Sequence, residues 1–252
     1  PGRNMRAVAY DPATNRMMMF GGHVGGEFVN DYWVLDNANG LGGPPAWKQL
    51  PPSTSVPLPI GREWHTVSYD GANNRLIMFG GWRQTGGIAN DVWVLSNANG
   101  NGGEPKWQQL APAGPLPFAR AGHTAVYDQK NNRLIVFGGG HGCCPPFFND
   151  IWVLTNANGL GGAPVWIQLL PAGPVPDTRE DHTAVYAAAK NVMIVFGGWR
   201  VPAAPNYLAD VWELKNANGL GGAPAWVNVT PKKPPSPGGR ELPSAVLDEA
   251  DH

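Results

Sequence analysis

Hydrophobic residues in this chain come in runs of four or five, and glycine, asparagine or proline clusters break each run. Between residues 118 and 176 this pattern predicts four strands: His123–Asp128, Arg133–Phe137, Ile151–Leu154 and Val165–Leu169. β-Branched and aromatic residues dominate them, as strands require. The second run, Leu134-Ile-Val-Phe137, is apolar on both faces and reads as a strand held between two layers. No segment carries a 3.6-residue apolar period, so helix should be scarce.

The four-strand pattern recurs along the chain. Phe-Gly-Gly stands at Phe20, Phe79, Phe137 and Phe196, spaced 59, 58 and 59 residues apart. A first tryptophan follows at Trp33, Trp93, Trp152 and Trp212, and a second at Trp47, Trp107, Trp166 and Trp226. A segment such as Arg120-Ala-Gly-His-Thr-Ala-Val-Tyr-Asp128 precedes each doublet, with counterparts beginning at Arg3, Arg62 and Arg179. One four-stranded sheet cannot bury both of its faces, so repeated sheets pack radially as propeller blades.

The Arg-x-x-His-Thr-Ala-Val strand, the Phe-Gly-Gly doublet, the Asn-Asp-x-Trp third strand and the fourth-strand Trp together resemble the kelch family. The resemblance covers essentially the whole chain, in a bacterial-type form with an Asn-Ala-Asn-Gly insertion (Asn37, Asn97, Asn156, Asn216) that lengthens each unit beyond the usual kelch repeat. It implies an all-β kelch-type β-propeller forming a single domain. Four complete blades lie at about 1–58, 59–117, 118–176 and 177–236, with one extra first strand at about 240–248. Three arrangements are open: a closed four-bladed ring with a surplus strand, part of a larger propeller, or a ring completed by another chain. Part of something longer is preferred.

Composition agrees with a turn-rich fold. The 252 residues include 34 glycines and 26 prolines, which alone would border on low complexity, yet 42% are hydrophobic and 11 are tryptophan. The charges nearly cancel at net −1 with no basic stripe, so nucleic acid and anionic membrane are poor partners. Apolar runs are too short for a membrane-spanning helix. The chain opens at Pro1 without Met or an apolar signal segment, and reads as processed or trimmed.

Most polar motifs have framework explanations. The Asn-Ala-Asn-Gly loops lack the acidic oxygens calcium needs and read as Asx turns. His65, His123 and His182 occupy the framework histidine position of the family. The Arg of each unit can tie blades together through carbonyls or the third-strand Asp (Asp31, Asp91, Asp150, Asp210). No hydrolase elbow, zinc-protease, P-loop or dinucleotide fingerprint occurs.

The segments after Phe-Gly-Gly differ between units, and a varied loop on a repeated scaffold is where function collects. Units one and three present His23 and His141 there, while units two and four present Trp82-Arg83 and Trp199-Arg200. In a four-bladed ring the two Trp-Arg pairs would face each other across the axis. A tryptophan beside an arginine offers a flat apolar face with a fork of donors, for a sugar ring or a protein hot spot. Trp64 and the matched carboxylates Glu63 and Glu180 enter the same face, as does Asp181. Cys143-Cys144 follows His141 and reads as a vicinal disulfide, as free thiols or as a soft-metal pair with His141. The expected ligand-binding set is therefore His23, Glu63, Trp64, Trp82, Arg83, His141, Cys143, Cys144, Glu180, Trp199 and Arg200, with no catalytic residue, cofactor or metal assigned.

The leading functional expectation is a non-catalytic extracellular, periplasmic or cell-envelope binding propeller for a carbohydrate or a partner protein. One alternative is a metal-dependent or sugar-modifying propeller enzyme. The resemblance extends to copper-radical oxidases, but these need a second off-framework tyrosine, and Tyr207 stands alone on the loop face. The other alternative is a structural subunit docking through the same loops, or associating with further blades.

Overall fold

A computed structural model describes residues 2–5, 7–51, 57–142, 145–201, 206–233 and 237–248. The described residues form four antiparallel blade sheets, each built on four strands ordered as they occur in sequence, with a fifth short strand added to that of blade two, and a separate two-stranded ribbon, His23–Val24 with Glu27–Phe28. Blade one comprises Ala7–Asp11, Arg16–Phe20, Tyr32–Asp36 and Ala46–Gln49. Blade two comprises Thr66–Asp70, Arg75–Arg83, Gly87–Ser96 and Lys106–Leu110. Blade three comprises Thr124–Asp128, Arg133–Phe137, Ile151–Thr155 and Val165–Leu169. Blade four comprises Thr183–Ala187, Val192–Phe196, Val211–Lys215 and Ala225–Asn228. The first strands lie against one another in chain order, so they form the inner wall and the Trp-bearing fourth strands the outer edge.

Three packed cores join the four blades: one between blades one and two, one between two and three, one between three and four. In each, the outer-strand tryptophan of one blade packs on the Phe-Gly-Gly phenylalanine of the blade before it. The ring centroids of Phe20–Trp107, Phe79–Trp166 and Phe137–Trp226 are 5.0, 5.1 and 5.1 Å apart. Trp107, Trp166 and Trp226 are buried, whereas Trp47 of blade one is 45% exposed. No such core joins blade four to blade one among the described residues. Among the described residues, therefore, no packed core closes the four blades into a ring that would set Trp82 across from Trp199.

The recurrence of Arg, Asp and Trp in each unit has one geometric cause. Arg120, fully buried, forks onto both carboxylate oxygens of Asp150 at 2.7 and 2.9 Å and donates to the carbonyls of Gly138 and Phe118. Trp152 Nε1–H donates to the same carboxylate at 2.6 Å. Arg62–Asp91–Trp93 and Arg179–Asp210–Trp212 repeat the arrangement. Each motif thus locks the entry of an inner strand onto the third strand of its own blade, with the buried charge paired and its hydrogen bonds satisfied.

Residues 240–248 correct the expectation of an extra strand. Arg240 O accepts from Gly198 N–H and Leu242 N–H donates to Asp181 O, as their counterparts do in earlier units. From there to Asp248 no strand forms. In the other blades each inner strand is held by the second strand of its own blade, and among the described residues no second strand pairs with this segment.

The framework histidines show a local defect. His123 Nε2 meets the Thr66 hydroxyl at 2.9 Å, and His182 Nε2 meets that of Thr124 at 2.8 Å. Blade one carries Ala7 at the threonine position, and Nε2 of buried His65 has no hydroxyl partner. Ala7→Thr should restore the bond and raise stability by about 1 kcal/mol. Urea denaturation of the two proteins measures this, and an unchanged or lower midpoint would count against it.

Candidate functional site on the loop face

Blade two builds the loop face differently from what its sequence suggests. The segment after its Phe-Gly-Gly is not an irregular loop, because the second and third strands run on as a hairpin through Arg75–Arg83 and Gly87–Ser96. Arg62–Glu63 adds a further strand, pairing Glu63 with Trp82. This raises Trp82 on rigid backbone, where its ring stacks on Trp64 with centroids 6.0 Å apart and planes 24° apart. Phe28 meets Trp82 edge-on at 6.4 Å, and His23 meets Phe28 at 5.2 Å. Gly142 of blade three closes against the pair: a Cβ there would lie 3.2 Å from the Trp82 ring, and its φ of +80° also favours glycine.

Beside the stack lies the mouth of the axis. Met5, Trp64, Asp181 and Leu242 all hold left-handed backbone conformations, as does Gly122 at the matching position. Each N–H from Trp64 onward donates to the carbonyl of the unit before it, at 3.2, 3.1, 2.8 and 2.8 Å. Four non-glycine residues in a region that costs them roughly 1 kcal/mol or more are thus fixed by one chain of hydrogen bonds. The mouth opens on a cavity of about 270 Å³ lined by Trp64, His65, His123, Asp181, His182 and Leu242. Burial, and then the neighbouring Glu241, push the Asp181 carboxyl up to about 6.

The remaining expected residues divide into separate contacts. Glu63, buried beneath the hairpin, faces His23 Nδ1 at 3.4 Å, and burial raises its pKa despite the attraction of His23. Arg83 does not project a fork of donors: it donates to the carbonyls of its own hairpin, Gly86 at 2.7 Å and Gly87 at 3.2 Å. Arg200 forms an ion pair with Asp177. Trp199 lies across Phe147 at 5.3 Å and exchanges backbone hydrogen bonds with Glu180. His141 meets Phe148 at 6.0 Å, and Phe148 stacks on Phe118, which is 71% exposed. Cys143 and Cys144 lie outside the described residues.

The structure therefore unites His23, Glu63, Trp64 and Trp82, and leaves Trp199, Arg200 and Glu180 on the blade-four side. Phe28, Phe118 and Phe148 complete the aromatic surface and were not singled out by the sequence. Their signal was available: an apolar residue shortly before the Asn-Asp pair of units one and three, and one ahead of the motif arginine of unit three. Among the described residues no group of three His, Cys, Asp or Glu side chains could hold a metal ion. No helix among them is long and apolar enough to cross a membrane.

Comparison with known proteins agrees with the fold. Residues 71–251 match the family model of the KLHDC2/KLHL20/DRC7 kelch-repeats domain. The chain is 32% identical over 192 residues to host cell factor homolog hcf-1 of Caenorhabditis elegans, covering 69% of this chain and 22% of that protein. It is 31% identical over 199 residues to human host cell factor 1, covering 73% of this chain and 9% of that protein. Dynein regulatory complex subunit 7 of Chlamydomonas reinhardtii is 32% identical over 139 residues, 54% of this chain and 11% of its own length. The chain thus spans less than a quarter of the length of these relatives. With its repeated Arg–Asp–Trp clasps, four-stranded blades and this match over most of its length, the chain belongs to the kelch-repeat family.

Proposed function

We propose that this chain is a protein-interaction propeller that holds its partner on the loop face, with the Trp64–Trp82 stack and the adjoining axial mouth as the anchor. The observation that carries the reading is the pair of partly exposed indoles stacked on a rigid hairpin beside a cavity. Large aromatic side chains fixed in one conformation are what interface hot spots are made of. The relatives support the choice of partner, since one is by name a subunit of a regulatory complex. A carbohydrate ligand is a weaker reading, because Arg83 spends its donors on Gly86 and Gly87 instead of offering them beside the ring. An extracellular or cell-envelope setting rests on oxidation of Cys143-Cys144 alone.

Peptide-display selection against the purified chain, run beside a glycan array, tests the reading. Selected peptides should bind the parent and lose at least about 30-fold in affinity, some 2 kcal/mol, to a Trp64→Ala/Trp82→Ala variant. Peptides indifferent to both substitutions would move the site elsewhere, and binding of glycans alone would favour the carbohydrate reading.

A further inference from the structure

The axial mouth gathers hydrogen-bond acceptors without a counter-charge. Asp181 is fixed there by its left-handed backbone and by its N–H bond to Gly122 O at 2.8 Å. Among the described residues no N–H or O–H donates to its carboxylate, and no cation pairs with it. Burial, and then the negative charge of Glu241, therefore push its carboxyl up to about 6. The arginines around this face are engaged elsewhere. Arg62, Arg120 and Arg179 are buried and fork onto their third-strand aspartates. Arg83 bonds its own hairpin, Arg200 pairs with Asp177, and exposed Arg240 donates to Gly238 O.

The cavity beside Asp181 has the size of a slot for one side chain. Its volume of about 270 Å³ falls below the roughly 300–1,000 Å³ of sites that take a whole small molecule. Met5, Leu242 and Pro243 offer apolar wall for a methylene stem, and Trp64 offers an indole, the ring that attracts cations best. His65 adds an independent observation. It is 5% exposed, it lines the same cavity, and its Nε2 lacks the hydroxyl that meets His123 and His182. Its bond to the Phe20 carbonyl takes the one N–H of the neutral ring, which leaves Nε2 as an acceptor. A buried acceptor without a donor is costly, and a donor entering the cavity relieves it.

We infer that the axial mouth seats a basic side chain of the protein partner, a lysine or an arginine, with its charged end against Asp181 and its stem along Trp64, Met5 and Leu242. This rests on the loop-face reading above and adds the chemistry of the partner to it. An acidic segment is rejected at the same place, because it would bring a carboxylate against Asp181 and Glu241 with no cation between them.

Three small probes test the inference without a known partner: the Nα-acetyl methylamides of lysine, arginine and norleucine. NMR follows the Trp64 indole N–H, assigned with a Trp64→Phe variant, as each probe is titrated into the chain. At least one charged probe should shift this signal and bind about tenfold or more tightly than norleucine, the scale of one charged hydrogen bond. Asp181→Asn should erase that preference. Asparagine tolerates the left-handed backbone at this position, so the variant should keep the fold, and thermal melts check it. Asp181→Gly, which suits the same backbone, replaces it if the first variant does not fold. Charged probes that bind no better than norleucine would overturn the inference. So would a signal that no probe moves, or a preference that survives loss of the carboxylate. The loop-face reading fails differently, through selected peptides that ignore Trp64→Ala/Trp82→Ala. It stands while this inference falls if such peptides need the indoles but no basic residue.

Discussion

Replacing Arg120 with alanine will cost the fold about 3–5 kcal/mol, a large share of the roughly 5–15 kcal/mol that holds a typical domain together. Arg120 is fully buried and its guanidinium satisfies Asp150, Gly138 O and Phe118 O at once. Its ring of contacts also includes Phe148, whose centroid lies 4.7 Å from the guanidinium carbon. Removing it strands a carboxylate whose remaining side-chain donor is Trp152 Nε1–H, and opens a void between inner and third strands. Arg240 supplies the control. It occupies the same motif position but is exposed and has no third-strand aspartate among the described residues, so Arg240→Ala should stay within about 0.5 kcal/mol of the parent. Urea denaturation distinguishes the two, and similar small losses for both would show that the clasp contributes little.

Acid will destabilise the chain steeply between about pH 6.5 and pH 3. Burial, reinforced by Arg62 and Arg179, pushes His65 and His182 down to about 3. Burial and then Arg120 lower His123 well below the usual value. All three are neutral in the folded chain near pH 5, yet bind protons near 6.5 once unfolded. The unfolded state therefore holds more protons in this window, and stability that is complete above pH 6.5 is lost as the pH falls. Three such groups set a slope of up to about 4 kcal/mol per pH unit. Asp91 and Asp210 act in the same direction at lower pH. Burial alone would raise them, but the hydrogen bonds and charges of Arg62 and Arg179 hold them below the usual carboxylate value. Asp181, raised to about 6, and Glu63, raised by burial, oppose the trend because the folded chain binds their protons more readily, but they are two groups against three histidines. Urea midpoints at pH 7.5, 6 and 5 read the slope directly, and a flat profile would contradict neutral burial of the histidines.

The sequence by itself determined the architecture of each blade. Strand identity follows from the spacing of apolar runs between turn residues, and an Arg followed 28 to 31 residues later by Asp-x-Trp marks contacts within one blade. Such signals are legible because they lie within one repeat and recur four times. Only the tertiary structure decided which of the varied loop residues work together. Trp64 and Trp82 meet because an extra strand and an extended hairpin pair across 19 residues, and neither is marked by periodicity. Arg83 turns back to its own hairpin for a reason equally local to that geometry. The hydrogen bond from Asn99 of blade two to Asp11 of blade one was also hidden, since the two are 88 residues apart and each looks like an ordinary turn residue alone. A repeat fixes what each unit does for itself, whereas pairing across units depends on burial and distance, which no single unit encodes.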